Sequence, residues 1–145
     1  MADVYSTGYN NVNATPPVKE KASANGGRVR IYKDVYTQGA AAGAIGDVIH
    51  MKKLPAGARI LPGSKLFWGT GTATETLAVG VTGAASKFVA ATAAATAGSV
   101  LLEAHLAAGL DYEVPAGGIE VIVTNATAAI AAAQAITVWI MYALD

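Results

Sequence analysis

Residues 121 to 144, VIVTNATAAIAAAQAITVWIMYAL, form 24 consecutive uncharged positions between Glu120 and Asp145. A helix of that length would cross a bilayer. Three features oppose a span. Asn125, Thr127 and Gln134 interrupt the run, alanine contributes little to insertion, and neither end is flanked by Lys or Arg. The two apolar clusters, Val121-Ile122-Val123 and Ile136 to Met141, are rich in β-branched residues and separated by small ones. That pattern predicts two strands and a connection, with no membrane segment. In the second cluster Ile136, Val138 and Ile140 stand opposite Trp139 and Met141. A strand apolar on both faces is expected to be covered by the core on one side and by a partner or an N-terminal arm on the other.

Working back along the chain, the same period of two recurs. Ile119-Glu120-Val121-Ile122-Val123 turns its odd positions to a core, and Thr74 to Val81 sets Leu77, Val79 and Val81 against Thr74, Thr76 and Ala78. Arg28 to Tyr36 alternates too: Val29, Ile31 and Val35 are apolar, Arg28, Arg30 and Asp34 are charged, and Lys33 breaks the rule. This predicts a half-buried strand with Val29, Ile31 and Val35 as its apolar face. Ile45 to Lys53 is a further strand, and Ala58 to Trp68 is extended with a bend at Pro62-Gly63. Leu54-Pro55-Ala56-Gly57 carries the residues of a type I turn, and Val114-Pro115-Ala116-Gly117 repeats it. Alanine propensity favours helix through Ala84 to Gly109 and Ala126 to Ala135. Thr92, Thr96 and Gly98 interrupt the first stretch, and no cap followed by a helical stripe is present, so strand and loop are expected. About eight strands at short spacing predict an all-β fold: an antiparallel, jelly-roll-like β-sandwich over residues 28–145. Residues 1–27 read as an extended arm, polar at Ser6 to Asn13, stiffened at Pro16-Pro17 and hinged at Asn25-Gly26-Gly27.

Composition narrows the function classes. Of 145 residues 53% are apolar, 32 of them alanine, and only 14% are charged, against roughly 25% in an ordinary soluble domain. Ten basic and ten acidic residues cancel, so phosphate neutralisation of a nucleic acid is not expected. There is no cysteine for a disulfide or thiolate nucleophile. Met1 to Asn10 carry Asp3 and no apolar run, unlike a secretory signal. An alanine-rich, charge-poor chain of this kind suits contact with other proteins.

Candidate chemistry is sparse. His50 and His105 lie 55 residues apart, and Glu103 with His105 supplies two ligands at most, so no metal site is expected. Asp111 and Glu113 share a face, but paired glycosidase carboxylates normally come from separate elements. No Gly-x-Ser-x-Gly elbow and no phosphate loop is present. Neither an enzyme activity nor a cofactor is expected. Lys52, Lys53, Arg59 and Lys65 are candidates for a basic patch that pairs with acids on a neighbouring subunit.

The run Gly46-Asp47-Val48-Ile49-His50-Met51-Lys52-Lys53-Leu54-Pro55-Ala56-Gly57-Ala58-Arg59-Ile60-Leu61-Pro62-Gly63 resembles the core motif of the capsid cement, or decoration, proteins of tailed bacteriophages. The Thr-rich strand Thr74 to Val81 and the closing pair, Ile119 to Thr124 and Ile136 to Leu144, are similar to the same pattern. The resemblance spans Asp47 to Leu144, and leaves out the arm and the alanine-rich inserts. It implies a jelly-roll-like sandwich on the outer surface of a virion, made in the host cytoplasm. There it would bridge neighbouring major capsid protein subunits of an HK97-like lattice. A cement protein binds many joints at once, so each contact can be weak, and an arm can add to a neighbour's sheet edge. Closed symmetry makes a homo-oligomer, dimer or trimer, the expected state. The candidate partner contacts are Tyr5 and Tyr9 in the arm, Arg28 and Arg30 just after it, Arg59 and Trp139. The alternative is a phage fibre, spike or glycan-binding module using Phe67, Trp68 and Tyr112.

Overall fold

The computed structural model describes residues 13–19, 27–104 and 112–144. Tyr5, Tyr9, His105, Asp111 and most of the predicted arm lie outside them. Nine strands order the described residues: β1 (Arg28–Thr37), β2 (Val48–Leu54), β3 (Arg59–Ile60), β4 (Lys65–Trp68), β5 (Thr76–Val81), β6 (Ala84–Ala93), β7 (Gly98–Leu101), β8 (Ile119–Ala126) and β9 (Ala135–Leu144). Every pairing is antiparallel. One sheet runs β1-β9-β4-β7 with β3 also on β9, and the other runs β2-β8-β5-β6. The chain changes sheet at each connection except the β3–β4 bend and the β5–β6 hairpin. With the two-residue β3 set aside, this is the strand order of a jelly roll, in which two Greek keys close a sandwich. The expected all-β sandwich is therefore the observed fold. The uncharged run 121–144 divides between β8 and β9, which lie in different sheets. Among the described residues no helix is long and apolar enough to cross a membrane.

The core fills the gap between the sheets. Leu77 and Val79 of β5 and Val121 and Val123 of β8 meet Leu66 of β4 and Ile136, Val138 and Ile140 of β9, all fully buried. The odd positions of β5 and β8, and the even positions of β9, face inward as the alternation predicts.

The facing of β1 is the reverse of the sequence expectation. Val29, Ile31 and Val35 are 58%, 59% and 51% exposed, whereas Tyr32 is buried at 7%. The register with β9 is the cause. Ile31 pairs with Met141, Lys33 with Trp139 and Val35 with Thr137, and directly paired residues share a face. Because β9 buries Ile136, Val138 and Ile140, its odd positions and their β1 partners must point away from the core. Tyr32, opposite Ile140, takes the inward place.

Both Pro-Ala-Gly segments form turns, one residue later than expected and of a different type. The Ala58 amide donates to the Pro55 carbonyl (3.2 Å) and the Gly118 amide to the Pro115 carbonyl (3.1 Å). The third residue of each turn, Gly57 or Gly117, has φ of +76° or +95°. A positive φ there defines type II, and glycine adopts it without steric cost. The two turns sit side by side, with the Gly57 amide bonded to Val114 O (2.9 Å) and the Val114 amide to Ala58 O (2.8 Å).

Alanine-rich Ala84–Ala93 is strand β6, as favoured over helix, but an irregular one. Val79 pairs with Val89 and Val81 with Ala84, so two steps on β5 face five on β6. Such bulges bend the strand and break its alternation. As a result the adjacent Phe88 and Val89 are both buried while Ala84, Ala85, Ala90 and Ala91 are exposed.

Candidate functional site

The register of the β1-β9-β4-β7 sheet assembles an outward face from residues far apart in sequence. Trp139 pairs with Lys33 on one side and Lys65 on the other, and Lys65 pairs with Leu101. One row across the sheet therefore reads Lys33–Trp139–Lys65–Leu101. The next row is Val35–Thr137–Phe67–Ser99, and Ile31–Met141 lies on the opposite side of the tryptophan. Diagonal neighbours on one face are within reach when aromatic. The Phe67 and Trp139 rings accordingly stand 6.4 Å apart between centroids, tilted by 44°. A shallow groove of about 300 Å³ runs beside Trp139 between Gly63, Lys65, Phe67 and Met141. A second hollow on its other flank is lined by Lys33, Phe67 and Thr137. Trp139 and Leu101 are each 41% exposed. Scattered apolar residues on a surface are ordinary, whereas a contiguous patch of aromatic and branched side chains marks an interaction surface.

The outer face of the other sheet differs. His50 Nδ1 lies 3.0 Å from Glu120 Oε2, an exposed polar pair. Towards β6 that face narrows to Ala78 and Gly80, and the Ala84 and Ala85 backbone passes directly over Gly80. An open apolar patch with an aromatic centre thus belongs to one sheet.

The candidate contact residues are dispersed. Trp139 is the centre of the outward face. Arg28 and Arg30 are exposed at the start of β1, opposite Leu144 and Tyr142. Arg59 is largely covered and its guanidinium donates to Glu113 Oε2 at 2.8 Å, so within the chain it braces the two glycine turns. The expected basic patch does not assemble: Lys53 belongs to β2 in one sheet and Lys65 to β4 in the other. Of the aromatics assigned to glycan binding, Phe67 alone points outward. Trp68 is buried and its indole N–H donates to Thr96 O (2.8 Å). Tyr112 packs edge-on against Phe88 (5.1 Å), and burial pushes its phenol pKa up. The sequence reading missed Lys33, Lys65 and Phe67 as neighbours of Trp139. The signal for Lys33 was present, since a lysine in a row of valines and isoleucine marks a face that meets solvent.

A buried polar centre lies at the start of β5. Glu75 is fully buried; its Oε2 accepts from the Thr72 amide (3.1 Å), and the Gln134 side chain also favours its charged form. Oε1 meets no hydrogen-bond partner among the described residues. Gln134 in turn donates to Gly69 O (3.2 Å) and accepts from the Ala131 amide (3.1 Å), joining two loops. Desolvation raises the Glu75 pKa above its ordinary 4.5, outweighing the two hydrogen bonds. The folded chain then holds this proton more tightly than the unfolded chain. Its contribution to stability is greatest below pH 4.5 and declines as pH rises through the raised folded value. Glu75→Gln keeps the shape and removes the charge. Chemical denaturation across pH should show the variant at least as stable as the parent near neutrality, with this part of the pH dependence flattened. A variant less stable than the parent at neutral pH would show that the ionised carboxylate is the stabilising form.

No protein-family model matches the sequence, and no curated protein does. Among solved structures the fold is similar to a chain described as "Cyanophage Pam1 capsid asymmetric unit", with a TM-score of 0.63 and 25% identity. The likeness covers 82% of this chain and 86% of that one. The class defined by fold and surface is a jelly-roll sandwich with one open, apolar sheet face. The capsid likeness supports a structural protein of the phage particle.

Proposed function

We propose that this protein is a capsid cement protein that binds the outer surface of a phage head and holds neighbouring major capsid protein subunits of an HK97-like lattice together. The observation that carries the reading is the solvent-open face around Trp139, on a fold similar to a chain of a cyanophage capsid. The resemblance of Gly46 to Gly63 to the cement-protein motif supports the same assignment. A protein with this role needs binding area, and none of the roles assigned to its residues is catalytic. Internal pressure strains every joint of a filled head. A docked sandwich adds contacts across a joint, and repetition over the lattice multiplies weak contacts into a durable layer. A dimer or trimer would place several such faces on adjoining subunits.

The test uses capsid shells prepared without this protein, to which purified protein is added back and binding is measured by co-sedimentation. Phe67→Ala and Trp139→Ala remove the two rings that meet on the outward face. Truncation of a central aromatic anchor costs about 2 kcal/mol or more, about 30-fold in affinity. The double variant should therefore lose shell binding at concentrations that saturate the parent, with an unchanged circular dichroism spectrum. Parent protein that fails to bind shells, or a double variant that binds as the parent does, overturns the proposal. Saturable binding of the parent to a glycan array, lost in the same variant, would favour the glycan-binding alternative.

A further inference from the structure

The outward face carries charge of one sign. Outward positions on β1, β9, β4 and β7 hold two lysines, Lys33 and Lys65, and no carboxylate. The lysines flank Trp139 in a single row, two inter-strand spacings or about 10 Å apart between Cα atoms. Among the described residues neither forms an ion pair. Elsewhere Arg59 is held by Glu113 and the Lys87 ammonium lies over the Tyr112 ring at 5.6 Å, while Arg28, Arg30 and Lys53 are exposed away from this face. The two lysines on the open face are available to a partner.

We infer that the occupant of this face is an acidic protein surface whose carboxylates, about 10 Å apart, flank an apolar centre and meet Lys33 and Lys65 while that centre covers Phe67 and Trp139. The inference rests on the cement reading and names the chemistry of the capsid surface that reading requires. A second copy of this chain is a poor occupant. Packing two such faces together about a two-fold axis would bring lysines toward lysines across a desolvated aromatic centre, with no carboxylate on either side. Like charges so placed oppose association, whereas complementary charges steer and orient it. The aromatic pair supplies the area, and the lysines select which surface receives it.

Binding of purified full-length protein to shells lacking it, measured from about 50 to about 500 mM salt, tests the inference. For the parent, affinity should fall about tenfold or more over this range. Lys33→Gln combined with Lys65→Gln should bind more weakly at low salt and lose most of the salt dependence. Lys33→Glu with Lys65→Glu should abolish binding, and Lys33→Arg with Lys65→Arg should restore it. Gln and Glu variants that bind like the parent, while Trp139→Ala weakens binding, would overturn this inference and leave the cement reading intact. A parent that does not bind shells overturns both. Self-association of the free protein that is abolished by Trp139→Ala would assign the face to a second copy instead. Tighter binding to a sulfated polysaccharide or a single-stranded oligonucleotide than to shells would assign it to a non-protein polyanion, and either result overturns the inference.

Discussion

Phe88→Ala is expected to lower the unfolding free energy by about 3–5 kcal/mol, the range for truncating a fully buried aromatic side chain. Phe88 is completely buried. It is one of two inward side chains on β6, and its ring meets Tyr112 edge-on at 5.1 Å. Its neighbours on the strand are already committed, Lys87 extending over the Tyr112 ring and Val89 buried in the core, so most of the cavity should persist. Guanidinium denaturation reads the loss as a lower midpoint with an unchanged slope. A loss below about 1 kcal/mol would mean that the bulged strand collapses onto the vacancy.

Gly80→Ala should be comparably severe for the opposite reason. A Cβ at position 80 would lie 2.1 Å from the Ala84 carbonyl oxygen and 2.5 Å from Ala85 backbone atoms. These atoms have no rotamer to escape into, so β6 would have to lift from β5. Overpacking commonly costs about 1–3 kcal/mol and occasionally more, and a clash between backbones belongs at the top of that range. Gly39→Ala is the control: a Cβ there meets nothing within 4 Å, and its midpoint should hardly move. A Gly80→Ala protein as stable as the parent would show that the hairpin can re-register without loss.

The facing of β1 shows where local pattern stops being informative. Alternation in Arg28 to Tyr36 identifies a strand because successive side chains must point to opposite sides. It does not say which side is inward, and a one-residue shift in pairing exchanges the two faces. Val29, Ile31 and Val35 formed the more hydrophobic set, yet β9 assigned them to solvent through their partners Ala143, Met141 and Thr137. For β9 itself the composition was sufficient to show two apolar faces: Ile136, Val138 and Ile140 make the core face, and Trp139 and Met141 stand on the outward one. The buried Glu75–Gln134 connection carried no sequence signal, because each residue alone is an ordinary polar loop residue. Their proximity arises when the loops before β5 and β9 converge.

By itself, the sequence determined the local conformations: strands from period-two alternation, turns from Pro-Ala-Gly, and β-structure in the run 121–144. These follow from short-range sterics and from the spacing of apolar side chains, which a linear chain displays. Tertiary structure alone decided that Lys33, Trp139 and Lys65 share a row, that Phe67 leans on Trp139, and that one sheet is left open. Each depends on pairing between strands dozens of residues apart. Burial of one face of β9 against the core fixed the register, and every neighbour on the outward face followed from it.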